Sequence, residues 1–575
     1  MRLKSNLIVL IGICLISFYL RSTALYNDHF HNEDAAGILY SADLLLKGGL
    51  PQVDTVDMKA PGSFYLVAFW WKLFGRSMWQ TQLLAIIWSI LSTLGIGFSL
   101  WTLYGQKQYQ SFQIPIRFLS IIGMLIYTLF SPNTDSMDIN YNSWMITPYI
   151  WSFAFMLYAI QLIRKAEEPS QENPSQEKPS QDHRISLQSI YAPILWIVLS
   201  GLFLVWGALM KHQGSFLLPA FLFYLYHQPY RYLLILSLGF GMGLGFLPLF
   251  VHYYQHGHLI VILKNYFLSE SGWRYVKEQQ LWSDRFLGLY DGLLGVFLFT
   301  GFVAILSVLS IILYMRVYKT LQAKSHQDLI FLIILSIMSF GGVAVGWRFF
   351  KGYYLQLFAP LILVALHPIT LRWLWDQIRN FTQFKIPQKS MIILLIMVLC
   401  TSFAYESKSL IAQRKQRRGP LHLPAVQSKQ VGLWIKKNSK PEDQIWVWGR
   451  WAWPVYFYSQ KMSATRYFKN LGVLTTQLTN TWRRGTKPTK FDPNTPWASA
   501  ISELQAFSPK WIAIAQNESF QDFKAFKELL RQKYQKRTPQ QIGLKGKQFT
   551  IDLYERVDPP KNPKVDPPKD QNLKK

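Results

Sequence analysis

The sequence predicts an α-helical polytopic membrane protein that carries a C-terminal extracytoplasmic α/β domain. Half of its 575 residues are apolar, aromatic residues reach 16% and charged residues only 16%. Apolar runs near or above the roughly 18 residues needed to cross a bilayer recur through the first 405 positions. Beyond them the composition changes, because residues 405–575 hold 32 Lys and Arg against 13 Asp and Glu, a net +19 of the chain's +28.

The runs give eleven spans, at 6–25, 80–103, 116–131, 144–163, 190–210, 214–227, 231–253, 291–315, 329–347, 353–371 and 390–404. Orientation follows from Lys and Arg in the short connections, which resist translocation. Arg2 and Lys4, Lys107 and Arg117, Arg164 and Lys165, Arg231, Arg316 with Lys319 and Lys324, and Arg372 with Arg379, Lys385 and Lys389 fall on one side, which is therefore cytoplasmic. The connection 132–143 has no Lys or Arg and carries Asp135 and Asp138, so it faces outward with the loops 26–79 and 254–290. An odd number of spans exports the C-terminal region, since long domains cross largely regardless of charge. Arg2 and Lys4 before an apolar run look like a signal peptide, but the run's length and the polar loop after it favour an uncleaved anchor. The expected location is the cell (inner or plasma) membrane, with multiple passes.

Three domains are expected. Residues 1–405 form the transmembrane domain, with an outer loop at 26–79 and a disordered cytoplasmic loop at 165–185, where a Pro-Ser-Gln unit repeats three times within 167–181. Residues 406–556 form a small α/β domain, and 557–575, with Asp-Pro-Pro-Lys twice, an extended tail. Within the α/β domain the pattern predicts a helix over 431–438, strands at 444–448, 511–515 and 548–554, and an amphipathic helix over 520–534. That alternation predicts a partly parallel sheet. Cys14 and Cys400 both lie in predicted spans, so the exported part has no disulfide. With no zinc-finger spacing and its charge outside the membrane, the basic domain suits anionic lipid head groups or a polyanionic glycan, and no nucleic acid.

The chemistry lies where outward loops meet helix ends. Four clusters share the outer face: Glu33-Asp34, Asp54 to Lys59, Lys211-His212-Gln213 and Arg348 to Tyr354. Ionisable groups at a membrane boundary are costly unless solvated or paired, so such a set describes a cavity that receives an anionic group beside lipid. A lipid-linked phosphate fits, with Lys59, Lys211 and Arg348 contacting its oxygens. Bland readings stand beside these: Asp34 as the cap of a helix over 35–46, Lys59 snorkelling or paired with Asp57, and Lys211 and Arg348 as interface anchors. His29 and His31 with Glu33 and Asp34 have ligand chemistry for a divalent cation, but closely spaced loop histidines are usually only solvated. No cofactor or metal site is assigned, and a divalent cation stays open.

Several stretches resemble the lipid-dependent glycosyltransferases of the GT-C type, in particular glycosyltransferase family 39 with its protein O-mannosyltransferases and aminoarabinose transferases. The resemblance is carried by Asp34, Tyr40, Ala42 and Gly48 to Pro51, then Asp57 to Pro61, the segment Gly207 to Pro219, the run Gly346 to Pro360, and Trp446-Val447-Trp448-Gly449. It implies transfer of one sugar from a polyprenyl-phosphate donor to an acceptor hydroxyl of a protein, lipid or glycan, with inversion at the anomeric carbon. Asp34 would be the general base, with Glu33 supplying the second carboxylate, because an alcohol attacks poorly until its proton is removed. Lys59, Lys211 and Arg348 would hold the phosphate, and Tyr40, Asp57, Pro61, Tyr353 and Gln356 would support the loop and its surroundings. The sequence departs from the family pattern at Ala35, Ala60, Trp144 and Gly352. An oligosaccharide ligase of the same fold is the alternative; a transporter or flippase is disfavoured, because the spans lack mid-helix charges.

Overall fold

The computed structural model describes residues 2–26, 28–30, 33–57, 59–106, 109, 115–134, 139–167, 187–267, 282–317, 323–382, 423–476, 482–483, 489–516, 520–542 and 548–557. They form two compact units. One comprises Met1–Gly48, Met58–Leu421 and Thr479–Lys487; the other comprises Gly49–Asp57, His422–Leu478 and Pro488–Lys575.

Helices build the first unit wherever the apolar runs lie. In chain order they are α1 (Arg2–Arg21), α2 (Glu33–Leu46), α3 (Gly62–Phe74), α4 (Met78–Tyr104), α5 (Ile116–Phe130), α6 (Tyr141–Glu167), α7 (Leu187–Met210), α8 (Leu218–Tyr226), α9 (Arg231–Gln255) and α10 (Leu259–Phe267). There follow α11 (Trp282–Thr300), α12 (Phe302–Val317), α13 (Ala323–Ala344), α14 (Tyr354–Ala365) and α15 (Pro368–Thr382). Among the described residues six helices are long and apolar enough to cross a membrane, or up to eight if each of two bent pairs is one span. The run expected at 291–315 bends by 101° at Gly301, whose φ of +55° ends α11, and the run at 353–371 bends by 58° ahead of Pro368. The run at 116–131 becomes a helix of 15 residues and that at 214–227 one of 9, both short of a full crossing. Residues 390–404 lie outside the described residues.

The loop 26–79 corrects the sequence reading, because it contains the apolar helix α3 besides the expected helix near 35–46. Inside the bundle α6 packs on α4 and α7, and α7 on α9. Trp88 Nε1 donates to the Trp144 carbonyl at 2.8 Å, and Ser92 and Thr147 share a 2.7 Å hydrogen bond. The segment Thr479–Lys487 belongs to this unit: Trp482 donates to the Asp291 carbonyl at 2.9 Å and packs edge-on to Phe299.

A buried charge network closes one end of the bundle. Arg164 grips Asp328 through both nitrogens, at 2.8 and 2.9 Å, and Tyr224 and Tyr109 donate to the same carboxylate at 2.6 and 3.2 Å. Removing one member leaves the other charge buried and uncompensated, which costs about 3–5 kcal/mol. Asp328→Asn should therefore lower the thermal unfolding temperature of the solubilised protein markedly; an unchanged temperature would show that the pair holds nothing.

The second unit is an α/β layer. Its helices are α16 (Leu423–Lys437), α17 (Pro454–Ser459), α18 (Trp497–Phe507) and α19 (Lys524–Lys533), and its strands β1 (Ile445–Trp448), β2 (Trp511–Ala515), β3 (Tyr534–Lys536) and β4 (Ile551–Arg556). The sheet order is β1-β2-β4-β3, with β1 parallel to β2 and the other pairs antiparallel, so the expected partly parallel sheet is present. β1 and β2 are buried throughout, as apolar strands covered on both faces must be. The sequence reading missed β3, whose first residue it placed in the preceding helix, and also α18. Trp446, Trp448, Phe523 and Phe526 form the aromatic core, on which Val56 packs.

Candidate active site

The site grows from three places where helices of the first unit begin or end. Asn140 accepts from the backbone amides of Asn142 (2.8 Å) and Ser143 (3.0 Å), the role of an asparagine at a helix start. That fixes the first turn of α6, whose Tyr141 lies under the ammonium of Lys59, 5.0 Å from the ring centroid. Asn142 accepts a hydrogen bond from Lys211 Nζ.

Lys211 stands in extended backbone between α7 and a 3-10 turn over His212–Leu217. The turn folds tightly against α7, and a Cβ on Gly214 would sit 2.6 Å from the Gly207 carbonyl carbon. The Lys211 ammonium lies 3.7 Å from the centre of the Tyr353 ring. His212 stacks on Tyr266 at 4.5 Å, with Nε2 3.2 Å from that residue's carbonyl oxygen. Gly62 brings Lys59 alongside, because α3 starts so close to the end of α7 that a Cβ there would lie 2.7 Å from the Leu209 carbonyl. Pro61 precedes α3 at its cap position.

Electrostatics join these residues to Asp34. Burial holds the Lys211 ammonium well below the usual lysine range, the positive charge of Lys59 adds to that effect, and the Asp34 carboxylate opposes it. Asp34 is half-buried in the first turn of α2, which begins at Glu33, so it sits inside the helix rather than capping it. The side chain of Glu33 lies outside the described residues. Tyr40 is buried further along the same helix.

Arg348 is buried, with 2% of its surface exposed, in a turn of unusual backbone. Gly346, Trp347 and Phe349 all have positive φ, at 75°, 54° and 49°. For two aromatic residues that conformation is strained, and such strain is held where the surroundings over-determine it, most often at functional sites. The turn leads to Tyr353, and Gln356 in α14 donates to the Ser339 carbonyl at 3.1 Å, which anchors the start of that helix.

Asp57 pairs with Lys469 at 2.7 Å, both within the second unit. Among the described residues no three His, Cys, Asp or Glu gather as a metal site; His31 lies outside them.

Beside the polar cluster opens an apolar cavity of about 660 Å³ between α3, α4, α7 and α9. Pro61 and Gly62 line it together with Tyr65, Trp70, Trp88, Trp206, Leu209 and Pro248 among others. Sequence reasoning named the cations and expected a cavity beside lipid, but not the ring of Tyr141, for which the Asn140 cap ahead of an apolar run was the available signal, nor the helices that enclose the cavity.

An anionic phosphate beside Lys211 favours its charged form, so binding should take up a proton there. Affinity for a phosphate monoester at this site should fall as pH rises through the depressed lysine range, above the second phosphate ionisation near about pH 6. Calorimetry in buffers of different ionisation enthalpy reads the uptake directly, and affinity flat with pH with no proton uptake would contradict it.

Long apolar helices around an apolar cavity, with a small α/β unit at the C-terminal end of the chain, make a polytopic membrane protein of the GT-C fold. The chain matches the aminoarabinose transferase ArnT of Cupriavidus metallidurans bound to undecaprenyl phosphate with a TM-score of 0.54 and 11% identity, over 96% of this chain and 98% of that one. The apo state of the same protein gives 0.51 and 11%, over 97% and 99%. The oligosaccharyltransferase AglB of Archaeoglobus fulgidus, in complex with an inhibitory peptide and a dolichol-phosphate, gives 0.50 and 12%, over 89% and 69%. At these identities the likeness is one of fold. No family model matches the chain, and neither does any curated protein.

Proposed function

We propose that this protein is an inverting glycosyltransferase that moves a sugar from a polyprenyl-phosphate carrier to an acceptor hydroxyl on the extracytoplasmic side of the membrane. One observation carries the reading: Pro61 and Leu209, which line an apolar cavity of about 660 Å³, stand two residues along the chain from Lys59 and Lys211, whose ammonium groups lie over the rings of Tyr141 and Tyr353. A prenyl chain needs an apolar channel and its phosphate needs fixed cations, and the two are adjacent here. The cations are held before any ligand arrives, by Tyr141, Tyr353 and Asn142. The two solved structures bound to undecaprenyl phosphate and dolichol-phosphate support the carrier class.

In the proposed reaction the acceptor oxygen attacks the anomeric carbon from the face opposite the phosphate. The new C–O bond forms as the bond from that carbon to the phosphate oxygen breaks, and the acceptor proton passes to the Asp34 carboxylate. The leaving electron pair settles on the phosphate, where Lys59 and Lys211 stabilise it and Arg348 adds a bidentate donor.

The fold likeness to AglB keeps an oligosaccharide ligase as the second reading. Mass spectrometry of lipid-linked sugars from cells with and without the gene separates the two. Accumulation of a polyprenyl-phosphate monosaccharide in its absence is the expected result. Accumulation of a lipid-linked oligosaccharide would favour the ligase, and an unchanged lipid profile would overturn both.

A further inference from the structure

We propose that, with the cavity between α3, α4, α7 and α9 taken as the prenyl site as above, the protein grips only the first isoprene units of its carrier and is indifferent to the length of the rest. It selects a polyprenyl phosphate of about five units or more, and not the undecaprenyl chain as such. Chain direction shows how far the cavity reaches from the phosphate. Lys211 directly follows α7, and Leu209, Trp206 and Leu202 of that helix line the cavity. At 1.5 Å per residue the farthest of them, Leu202, lies only about 14 Å along the axis from Lys211. The lining covers Leu84 to Leu91 of α4, about 10 Å of that helix, and Leu244 to Leu249 of α9, about 8 Å. A bilayer's hydrocarbon core is about 30 Å thick, so the cavity spans no more than about half of it.

Volume sets the capacity. A dry cavity of about 150 Å³ takes one benzene, so each carbon needs roughly 25 Å³. At that density a cavity of about 660 Å³ holds about 26 carbons, or roughly five isoprene units, about half of an undecaprenyl chain. Phe69 of α3 lines the cavity and is 62% exposed, so the cavity opens at its side. The remaining units leave there, among lipid tails. Lipid tails are as apolar as a prenyl chain, so no hydrophobic gain distinguishes a unit inside from one outside; only closer packing does. Units beyond the cavity exchange one loose apolar surrounding for another and add nothing to affinity.

The test is competition against labelled undecaprenyl phosphate on the full-length protein in one detergent. Geranyl, farnesyl, geranylgeranyl, pentaprenyl, heptaprenyl and undecaprenyl phosphates are compared at equal mole fraction in the micelle. Affinity should rise by at least about tenfold from geranyl to pentaprenyl phosphate, since about ten added atom contacts already amount to that factor. From there it should stay level through undecaprenyl phosphate. Leu202→Trp, which fills the deep end, should move the break to a shorter chain, and Leu202→Ala, which enlarges it, to a longer one. A rise that continues unbroken to undecaprenyl phosphate, or a break that neither variant moves, would overturn the length limit while leaving the cavity a prenyl site. Competitors of every length binding alike, or none displacing the label, would overturn the prenyl reading itself.

Discussion

Asp34→Asn is expected to lower turnover by about 10²–10⁴-fold, the contribution of a positioned general base, while binding of undecaprenyl phosphate stays within a factor of a few. The two effects separate because the amide keeps the shape and position of the side chain in the first turn of α2 but cannot accept the acceptor's proton. The loss should appear in kcat and remain at saturating donor, as for an interaction made in the transition state. Turnover close to wild type would remove Asp34 as the base.

Lys211→Ala should act on both binding and turnover. Its ammonium is held between the Tyr353 ring and Asn142 in a desolvated site, where a fixed charge counts for more than in water. Loss of one preorganised donor to a developing anion typically costs about 10²–10³ in kcat, and donor affinity should fall as well because the ground-state phosphate is already charged. Lys211→Arg should not restore full activity, since a planar fork does not fit where a point charge stands over an aromatic face. Kinetics on a synthetic polyprenyl-phosphate sugar would decide the matter, and an Arg variant with wild-type constants would argue against a specific role for the ammonium.

Much of the fold was legible because apolar runs of bilayer length permit few alternatives. The run at 80–103 is the helix Met78–Tyr104, and that at 231–253 is Arg231–Gln255. The helix Gly62–Phe74 was hidden, since an apolar stretch of 13 residues is too short to cross and was read as part of a polar loop. The strands Ile445–Trp448 and Trp511–Ala515 were evident from their apolar, β-branched and aromatic content. β3 was not, because its first residue continues the apolar face of the preceding helix and only tertiary pairing with β4 makes it a strand.

The site was legible as residue types and illegible as partners. Motifs marked Asp34, Lys59, Lys211 and Arg348, but nothing local tells that Asp57 pairs with a lysine 412 positions away. The left-handed backbone at Trp347 and Phe349 contradicts what aromatic residues prefer, so no propensity argument could have reached it. The cavity needs four helices to enclose it, which no single run encodes.

The central claim is that a polyprenyl chain lies between α3, α4, α7 and α9 with its phosphate on Lys59 and Lys211. A photoreactive undecaprenyl phosphate analogue with a diazirine on its first isoprene units tests it most directly, read by mass spectrometry of labelled peptides. The account predicts label on the peptides carrying Tyr65, Trp88 or Trp206, displaced by unlabelled undecaprenyl phosphate and lost in Lys59→Ala/Lys211→Ala. Displaceable label confined to other helices, or label at the cavity indifferent to both lysines, would contradict it.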